Sequence, residues 1–309
     1  MNKTMADIKQ QLSGLIQLTR WQEHVAFVIP LTLLGALLAI NNAESGAAHL
    51  DWRLIAVTLG NILAVAYAFM INDIEDAPDD ARDPARAARN PITSGRVNIR
   101  LGYNACRFLA IVTLILYALG GTLVFLVGAS TLLLSHLYSW RPVRLKAWPV
   151  TDILSHSLML SGLLLLAGYF IYHSAPGIVW FVAAGVTLFS VYGQLYNQLR
   201  DYDMDKAAGL KNTAIVLGEA NTRRAIYLSI GLGAACVLAA IVQGAFPLWL
   251  GLALLMSAAA SMVFRPVGDM RGGEAADLSG KVQVRVLIAI NLTVACWLVV
   301  VLAGQFGVI

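Results

Sequence analysis

The stretch "YAFMINDIEDAPDD" at residues 67–80 joins the end of a long apolar segment to a dense group of acids. The mainly apolar segment 53–71 leads into it, and six carboxylates follow between Asp73 and Asp83. Ionised carboxylates are costly beside an apolar environment unless a cation or hydrogen bonds compensate for them. The stretch therefore marks the end of a membrane-type helix, at which the carboxylates need a cation or hydrogen-bond donors.

The rest of the chain has the composition of a membrane protein. Of its 309 residues, 58% are hydrophobic and 13% are charged, whereas a soluble domain carries roughly 25% charged residues. Apolar runs of about 18 residues or more, long enough to cross a bilayer, recur along the sequence. The three cysteines, Cys106, Cys236 and Cys296, show no CxxC or Cys/His pattern. A disulfide framework or a zinc site is therefore not expected.

Nine segments are candidate membrane spans, and the distribution of charge orients them. They are approximately 24–41, 53–71, 101–119, 122–138, 150–173, 178–197, 225–243, 246–264 and 286–304. With nine spans, 21 of the 22 Lys and Arg residues lie on the side of the N-terminus, and only Arg53 lies opposite. Because basic residues favour the cytoplasmic side, we expect a cytoplasmic N-terminus and an outside C-terminus in a prokaryotic cell membrane.

We expect one all-α membrane domain over residues 1–309, with nine transmembrane helices in a single bundle. The loops whose residues could take part in chemistry all lie on the N-terminal side, where they would form a polar cytoplasmic cap. These loops are about 72–100, 138–149, 197–224 and 265–285.

A second acidic stretch repeats the pattern of the first. "YGQLYNQLRDYDMD" at 192–205 aligns without gaps on residues 67–80, at an offset of 125 residues, and both copies end a span. Residues four apart share one face of a helix, so each copy would present one amide and two carboxylates in a column. The columns are Asn72, Asp76 and Asp80, and Asn197, Asp201 and Asp205.

The two columns predict a cation site if their helices face each other across a cavity. Four carboxylates that converge there would need protons or a bound cation. Oxygen ligands suit Mg²⁺, which usually combines one or two carboxylates with waters and substrate phosphates. Basic residues near the columns are candidates for phosphate binding: Arg89, Arg96, Lys146, Arg200, Lys206 and Lys211. The pattern indicates a magnesium diphosphate whose apolar tail lies among the helices.

Four motifs occur in an order that is typical of one known family. They are "NDIEDAPDD" (72–80), "RNPITSG" (89–95), "YSWRPVRLK" (138–146) and "RDYDMD" (200–205). With them the chain resembles the UbiA superfamily of intramembrane prenyltransferases, whose motifs read NDxxDxxxD, R-x-P-[LI]-x-SG, YS…P.RLK and DxxxD. "RNP" departs from the commoner "NRP" or "YRP", so the resemblance leaves the acceptor open.

The resemblance implies transfer of a polyprenyl group from an isoprenyl diphosphate to a lipophilic acceptor, which is an aromatic compound, a quinone precursor or a lipid. Two Mg²⁺ ions would neutralise the diphosphate leaving group. The implied ligands are Asn72, Asp76, Asp80, Asp201 and Asp205. Lys146 would stabilise charge as the C–O bond breaks, so the implied catalytic residues are Asp76, Asp201 and Lys146.

A larger set of residues, which includes the catalytic Lys146, would bind the substrate. The implied set is Asn72, Asn197, Arg89, Arg96, Tyr138, Arg200 and Lys211, together with Lys146. Besides the diphosphate, the acceptor and the lipid bilayer, no nucleic acid and no obligate protein partner is expected.

Alternatives remain open at this point. A carotenoid-elongating or terpene-cyclising enzyme of the same superfamily would share the ionisation step. A cation-coupled secondary transporter also uses intramembrane carboxylates, although such sites lie near the bilayer midplane and these columns lie at span ends. For Asp73, a supporting or backbone-capping role and direct metal ligation are equally expected. Simpler roles are expected for Glu75 as a solvent-facing residue and for Arg144 as a membrane anchor.

Overall fold

The computed structural model describes residues 3–43, 49–207, 209–263, 268–270, 274, 275 and 277–308, with side chains from residue 7 onward. Within these ranges the chain forms helices and turns and contains no strand. The helices are α1 (Lys3–Thr19), α2 (Trp21–Asn41), α3 (Trp52–Asp80), α4 (Pro84–Arg89), α5 (Ile99–Gly120), α6 (Thr122–Ser139), α7 (Thr151–Ser157), α8 (Leu163–Tyr169), α9 (Val179–Arg200), α10 (Tyr202–Ala207), α11 (Thr213–Leu217), α12 (Glu219–Val242), α13 (Leu250–Ser261) and α14 (Leu278–Gln305).

Within the described residues, eight helical segments are long and apolar enough to cross a membrane, which confirms the prediction of a helical membrane protein. They are α2, α3, α5, α6, the continuous run from α7 to α8, α9, α12 and α14. The predicted span 246–264 is shorter, because α13 has only 12 residues. That length is about 18 Å at 1.5 Å per residue, against a hydrocarbon core of about 30 Å. Residues 264–267 after it lie outside the described part of the chain.

The bundle consists of two groups of helices that α2 and α8 connect. In the first group α3 packs on α5, α6 and α2, and in the second α9 packs chiefly on α12. Helix α2 also lies against α8 and against α14, and α8 contacts α9, so α2 and α8 together join the two groups. The helices that carry the two acidic motifs, α3 and α9, therefore belong to different groups, and α8 contacts both.

Buried hydrogen bonds and close backbone contact hold α2, α3 and α8 together. The Asn61 amide donates to Thr32 Oγ1 (2.7 Å) and to Leu164 O (3.0 Å), and it accepts from Tyr117 Oη (2.8 Å). Such bonds join helices in an apolar medium because the unpaired groups would be costly there. Nearby, a Cβ added at Gly168 would lie 2.1 Å from Thr32 O. Glycine is therefore required where α8 crosses α2.

We expect Gly168→Ala to lower the free energy of unfolding by about 1–3 kcal/mol, because the added methyl group would push two backbones apart. Equilibrium unfolding in mixed detergent micelles measures this change. Gly231→Ala is the matched control, since no atom lies within 4 Å of a Cβ at that position. Equal stability of the two variants would contradict the close packing of α2 and α8.

A π-helical turn, Leu158–Gly162, joins α7 to α8. The N–H of Leu163 donates to Leu158 O, five residues back, so this turn holds one more residue than an α-helical turn does. The turn sets the direction in which the side chains of α7 point. Asp152 of α7 is 1% exposed and lies against α9.

Candidate active site

The first acidic motif lies on the last turns of α3, in the helical conformation that its spacing predicts. The ammonium of Lys146 donates to Asn72 Oδ1 (2.8 Å) and to Asp76 Oδ2 (2.5 Å). Ser139 Oγ also donates to Asn72 Oδ1, at 3.2 Å. Three residues of the predicted site, Asn72, Asp76 and Lys146, are thus in direct contact.

The segment after α6 folds back over this motif. Arg144 has a left-handed backbone, with φ of 45°, and its guanidinium donates to Asp76 Oδ1 (3.1 Å) and Asp79 Oδ2 (2.9 Å). Burial lowers the pKa of the Lys146 ammonium, and the Asp76 carboxylate partly offsets this effect. The expectation that Arg144 is only a membrane anchor is wrong, because its guanidinium forms ion pairs with two carboxylates of α3.

Glu75 is 7% exposed, so the expectation that it faces solvent is also wrong. Its carboxylate accepts from Tyr103 Oη (2.9 Å) and from the N–H of Arg141 (3.2 Å). A cavity of about 380 Å³ lies beside it, lined by Tyr67, Ile71, Glu75, Tyr103, Cys106, Arg107, Ala110, His136 and Trp140. At 100° per residue, the face of α3 that carries Tyr67, Ile71 and Glu75 is roughly 140° away from the face of the column Asn72, Asp76 and Asp80. The cavity is therefore separate from the acidic column.

Asp80 and Asp73 have different partners. The Asn90 amide donates to Asp80 Oδ2 (2.8 Å) and to the backbone oxygen of Asp73 (2.7 Å). The Asp73 carboxylate forms an ion pair with Arg20, whose Nη2 lies 2.7 Å from Asp73 Oδ1. Asp73 thus ties the start of α2 to α3, which is one of the two roles expected for it, and direct metal ligation by Asp73 stays a prediction.

The structure places the two arginines of the "RNPITSG" region away from the acidic column. Arg96 donates to Ala88 O (3.0 Å) and Ser94 Oγ (2.9 Å), and it also contacts Gln17 of α1. The Arg89 side chain is 67% exposed and lies 3.5 Å from Glu23. In this conformation Arg96 organises its own loop, and its predicted contact with diphosphate stays a prediction, as does that of Arg89.

The second motif lies where α9 is interrupted. Helix α9 ends at Arg200, Asp201 occupies its C-cap, and α10 begins at Tyr202. The backbone bonds from Asp201 N to Asn197 O (3.1 Å) and from Asp205 N to Asp201 O (2.9 Å) nevertheless continue the helical pattern. The spacing of the predicted column is therefore correct, although the helix is not continuous.

A buried ion pair engages Arg200 next to the second motif. Arg200 Nη1 lies 2.9 Å from Asp269 Oδ2, and its Nε lies 3.4 Å from Asp201 Oδ1. The Asp269 side chain is 1% exposed. Arg200, predicted to bind substrate, here links the segment before α14 to the end of α9.

The other predicted substrate-binding residues lie around this region. The Tyr138 ring centroid is 6.0 Å from that of His156, so Tyr138 faces α7. Asn197 is half-buried, and Lys211 is exposed. Their contact with substrate stays a prediction.

The two motifs lie at the same end of the bundle because the segment between α6 and α7 reaches both. Lys146 contacts Asp76, and four residues later the N–H of Val150 donates to Thr213 Oγ1 (2.7 Å). The residue before Thr213 is Asn212, whose amide donates to Asp205 Oδ2 (2.7 Å).

A buried carboxylate fixes this junction. Asp152 accepts from the amide of Gln198 (2.7 Å) and from both the N–H (2.8 Å) and the hydroxyl of Thr213. Gln198 Oε1 in turn accepts from the N–H of Ala214 (3.0 Å). Among the residues that the structure describes, no three His, Cys, Asp or Glu side chains are close enough to hold a metal ion. Convergence of all four aspartates therefore stays a prediction.

Most of the sequence matches the model of a known family. Residues 28–278 match the model of the UbiA prenyltransferase family. The chain belongs to this family. It is an integral membrane enzyme of the prenyltransferase class, as its motifs predict.

Individual relatives of this UbiA prenyltransferase agree over most of their length. The 4-hydroxybenzoate octaprenyltransferase of Pseudomonas fluorescens (strain SBW25) is 27% identical over 261 residues, which are 83% of this chain and 83% of the relative. A UbiA homologue from Archaeoglobus fulgidus, solved with GPP and Mg²⁺, has a TM-score of 0.69 at 19% identity and covers 94% of this chain and 98% of its own. An apo UbiA homologue from Aeropyrum pernix K1 has a TM-score of 0.61 at 20% identity, covering 92% and 97%. The two solved structures show the shared fold.

The donor groups of this UbiA prenyltransferase suit a hard divalent cation. Both motifs offer oxygen donors only, which Mg²⁺ prefers. Asn72 Oδ1 and Asp76 Oδ2 already share one positive charge, the Lys146 ammonium. The residues present therefore fit Mg²⁺.

Sequence reasoning missed several residues that touch the motifs. These are Arg144, Asn90, Asn212 and Asp269. The position of each asparagine within a turn carries some signal, since Asn favours turns and helix N-caps. Asp269 carries none, because its partner Arg200 lies 69 residues away in the chain.

Proposed function

We propose that this UbiA prenyltransferase transfers a polyprenyl group from an isoprenyl diphosphate to a lipophilic acceptor and requires Mg²⁺. The observation that carries the proposal is the contact of Lys146 with both Asn72 and Asp76 at the polar end of an apolar bundle. A diphosphate with an apolar tail needs both environments side by side. The GPP and Mg²⁺ bound to the A. fulgidus homologue support this choice of donor and metal.

The residues divide the work between holding the metal ion and stabilising the leaving diphosphate. Asn72, Asp76, Asp80, Asp201 and Asp205 would hold Mg²⁺, which neutralises diphosphate oxygens when bound. Lys146 and Arg144 donate N–H groups to the diphosphate and stabilise it as the allylic C–O bond breaks and the electron pair leaves with oxygen. The acceptor then forms the new bond to the allylic carbon and loses a proton.

The proposal extends to orientation and acceptor. Because basic residues favour the cytoplasmic side, the motif end faces the cytoplasm and the C-terminus lies outside. The octaprenyltransferase relative acts on 4-hydroxybenzoate by name, which makes an aromatic acid the first acceptor to test.

Purified enzyme in lipid nanodiscs, incubated with labelled octaprenyl diphosphate, 4-hydroxybenzoate and Mg²⁺, tests the proposal. We expect release of diphosphate and a prenylated, solvent-extractable product. EDTA should abolish both, and excess Mg²⁺ should restore them. A panel of other phenols and lipid alcohols replaces the aromatic acid if only diphosphate release is seen. Cation-driven uptake of a solute into proteoliposomes, without cleavage of any allylic diphosphate, would contradict the proposal.

A further inference from the structure

Each acidic motif contains one carboxylate beside a cation and one beside a neutral amide. Asp76 contacts the Lys146 ammonium at 2.5 Å, and Asp201, its counterpart 125 residues later, lies 3.4 Å from the Arg200 guanidinium. The other two carboxylates, Asp80 and Asp205, contact asparagine side chains.

The last carboxylate of each motif accepts from an asparagine amide. Asn90 Nδ2 donates to Asp80 Oδ2 at 2.8 Å, and Asn212 Nδ2 donates to Asp205 Oδ2 at 2.7 Å. The two asparagines are 122 residues apart, close to the 125-residue offset of the motifs. The internal repeat therefore extends from the acidic residues to the groups that hold them.

Both amides are fixed by a second bond. The Asn90 carbonyl oxygen accepts from the N–H of Ile92 (2.9 Å), and the Asn212 carbonyl oxygen accepts from the N–H of Ile215 (3.0 Å). Since each oxygen faces a backbone donor, each NH₂ must face the aspartate. Both side chains are buried, so these orientations are set by the fold.

An amide donor and a basic side chain prepare a carboxylate differently. Both favour its ionised form, but a basic side chain adds a charge that competes with a metal ion for the same oxygens. An amide fixes the direction of the carboxylate without that competition. Groups that orient metal ligands in this way typically change metal affinity by about 10–100-fold when they are removed.

We propose that Asn90 and Asn212 are matched positioning residues that hold Asp80 and Asp205 ready for a divalent cation. The inference rests on the proposed function, because it assumes that the two motifs hold a metal.

Serine variants separate the positioning role from folding. Serine also accepts a backbone N–H at an N-cap or in a turn, so Asn90→Ser and Asn212→Ser retain the local fold, but serine is too short to reach the aspartate. Asn104→Ser and Asn221→Ser are the matched controls, because these asparagines are exposed and contact Arg107 and Leu217 O. Thermal unfolding of all four variants verifies that the fold is intact.

The measurement is binding of Mn²⁺, followed by electron paramagnetic resonance, in the presence of geranyl thiolodiphosphate, an unreactive allylic analogue. We expect the Kd for Mn²⁺ to rise on the order of tenfold in Asn90→Ser and in Asn212→Ser, and to rise further in the double variant. The two control variants should bind Mn²⁺ as the wild type does.

The outcomes distinguish this inference from the proposed function. A wild type that binds Mn²⁺ and releases diphosphate, with folded Asn90→Ser and Asn212→Ser variants of unchanged Mn²⁺ affinity, overturns the positioning role alone. A wild type that neither binds Mn²⁺ nor releases diphosphate overturns the proposed function and this inference together.

Discussion

Asp76→Ala should lower the rate of diphosphate release by about 10³-fold, since one lost group that stabilises developing charge costs roughly 10²–10³ in rate and Asp76 is a proposed metal ligand as well. Both Lys146 and Arg144 donate hydrogen bonds to the Asp76 carboxylate. Without it, the Lys146 ammonium loses its ion pair on α3 and keeps the hydrogen bond to Asn72. Release of labelled diphosphate at saturating Mg²⁺ measures the effect.

Asp79→Ala is the control for this prediction. Asp79 lies on the same helix and pairs with Arg141 and Arg144, but it lies outside the column of Asn72, Asp76 and Asp80. This variant should keep a rate close to that of the wild type. An equal loss of activity in both variants would show that the rate depends on the ion pairs between α3 and the segment of Arg141 and Arg144, and not on the column of Asn72, Asp76 and Asp80.

Asp152→Asn is expected to lower the free energy of unfolding by about 2–4 kcal/mol, because it leaves buried donors without an acceptor. Each oxygen of Asp152 accepts one backbone N–H, from Ile153 to Oδ1 (2.8 Å) and from Thr213 to Oδ2 (2.8 Å). Whichever oxygen becomes NH₂ would therefore face a donor that cannot turn away. The shape of the side chain hardly changes, so lost hydrogen bonding is the cause.

Equilibrium unfolding in mixed detergent micelles measures this loss, with the exposed Asp203→Asn as the control. We also expect weaker Mn²⁺ binding in Asp152→Asn. Asp152 fixes Thr213, and Thr213 follows Asn212, whose amide contacts Asp205. Stability equal to that of Asp203→Asn would show that the Asp152 network does not hold the junction.

The spans and the spacing of the motifs were predictable because both depend on local pattern. Hydropathy identifies segments such as 53–71, and the four-residue spacing places Asn72, Asp76 and Asp80 on one helical face. The short α13 was missed because an apolar composition does not show where a helix stops. The interruption at Asp201 was missed because the four-residue spacing of the acids does not show where a helix stops.

The partners of charged residues were not predictable, because they depend on contacts between distant parts of the chain. Arg144 and Lys146 are two residues apart in one basic segment, and both reach Asp76. Arg96 has the same charge and instead organises its own loop. Residue type and sequence position alone do not show which of these basic residues contacts Asp76, because their partners depend on the tertiary packing of α1, α3 and the segment after α6.

Because a π turn joins α7 to α8, the position of Asp152 depends on the number of residues between these helices as well as on their composition. Loss of one residue within Leu158–Gly162 would restore ordinary α-helical geometry and rotate α7 by about 100° relative to α8. Asp152 would then point away from Gln198 and Thr213 while every apolar residue of the span remained suitable for the membrane. Alignments of relatives that place a gap in this turn should therefore also show a change at the positions of Asp152 and Thr213.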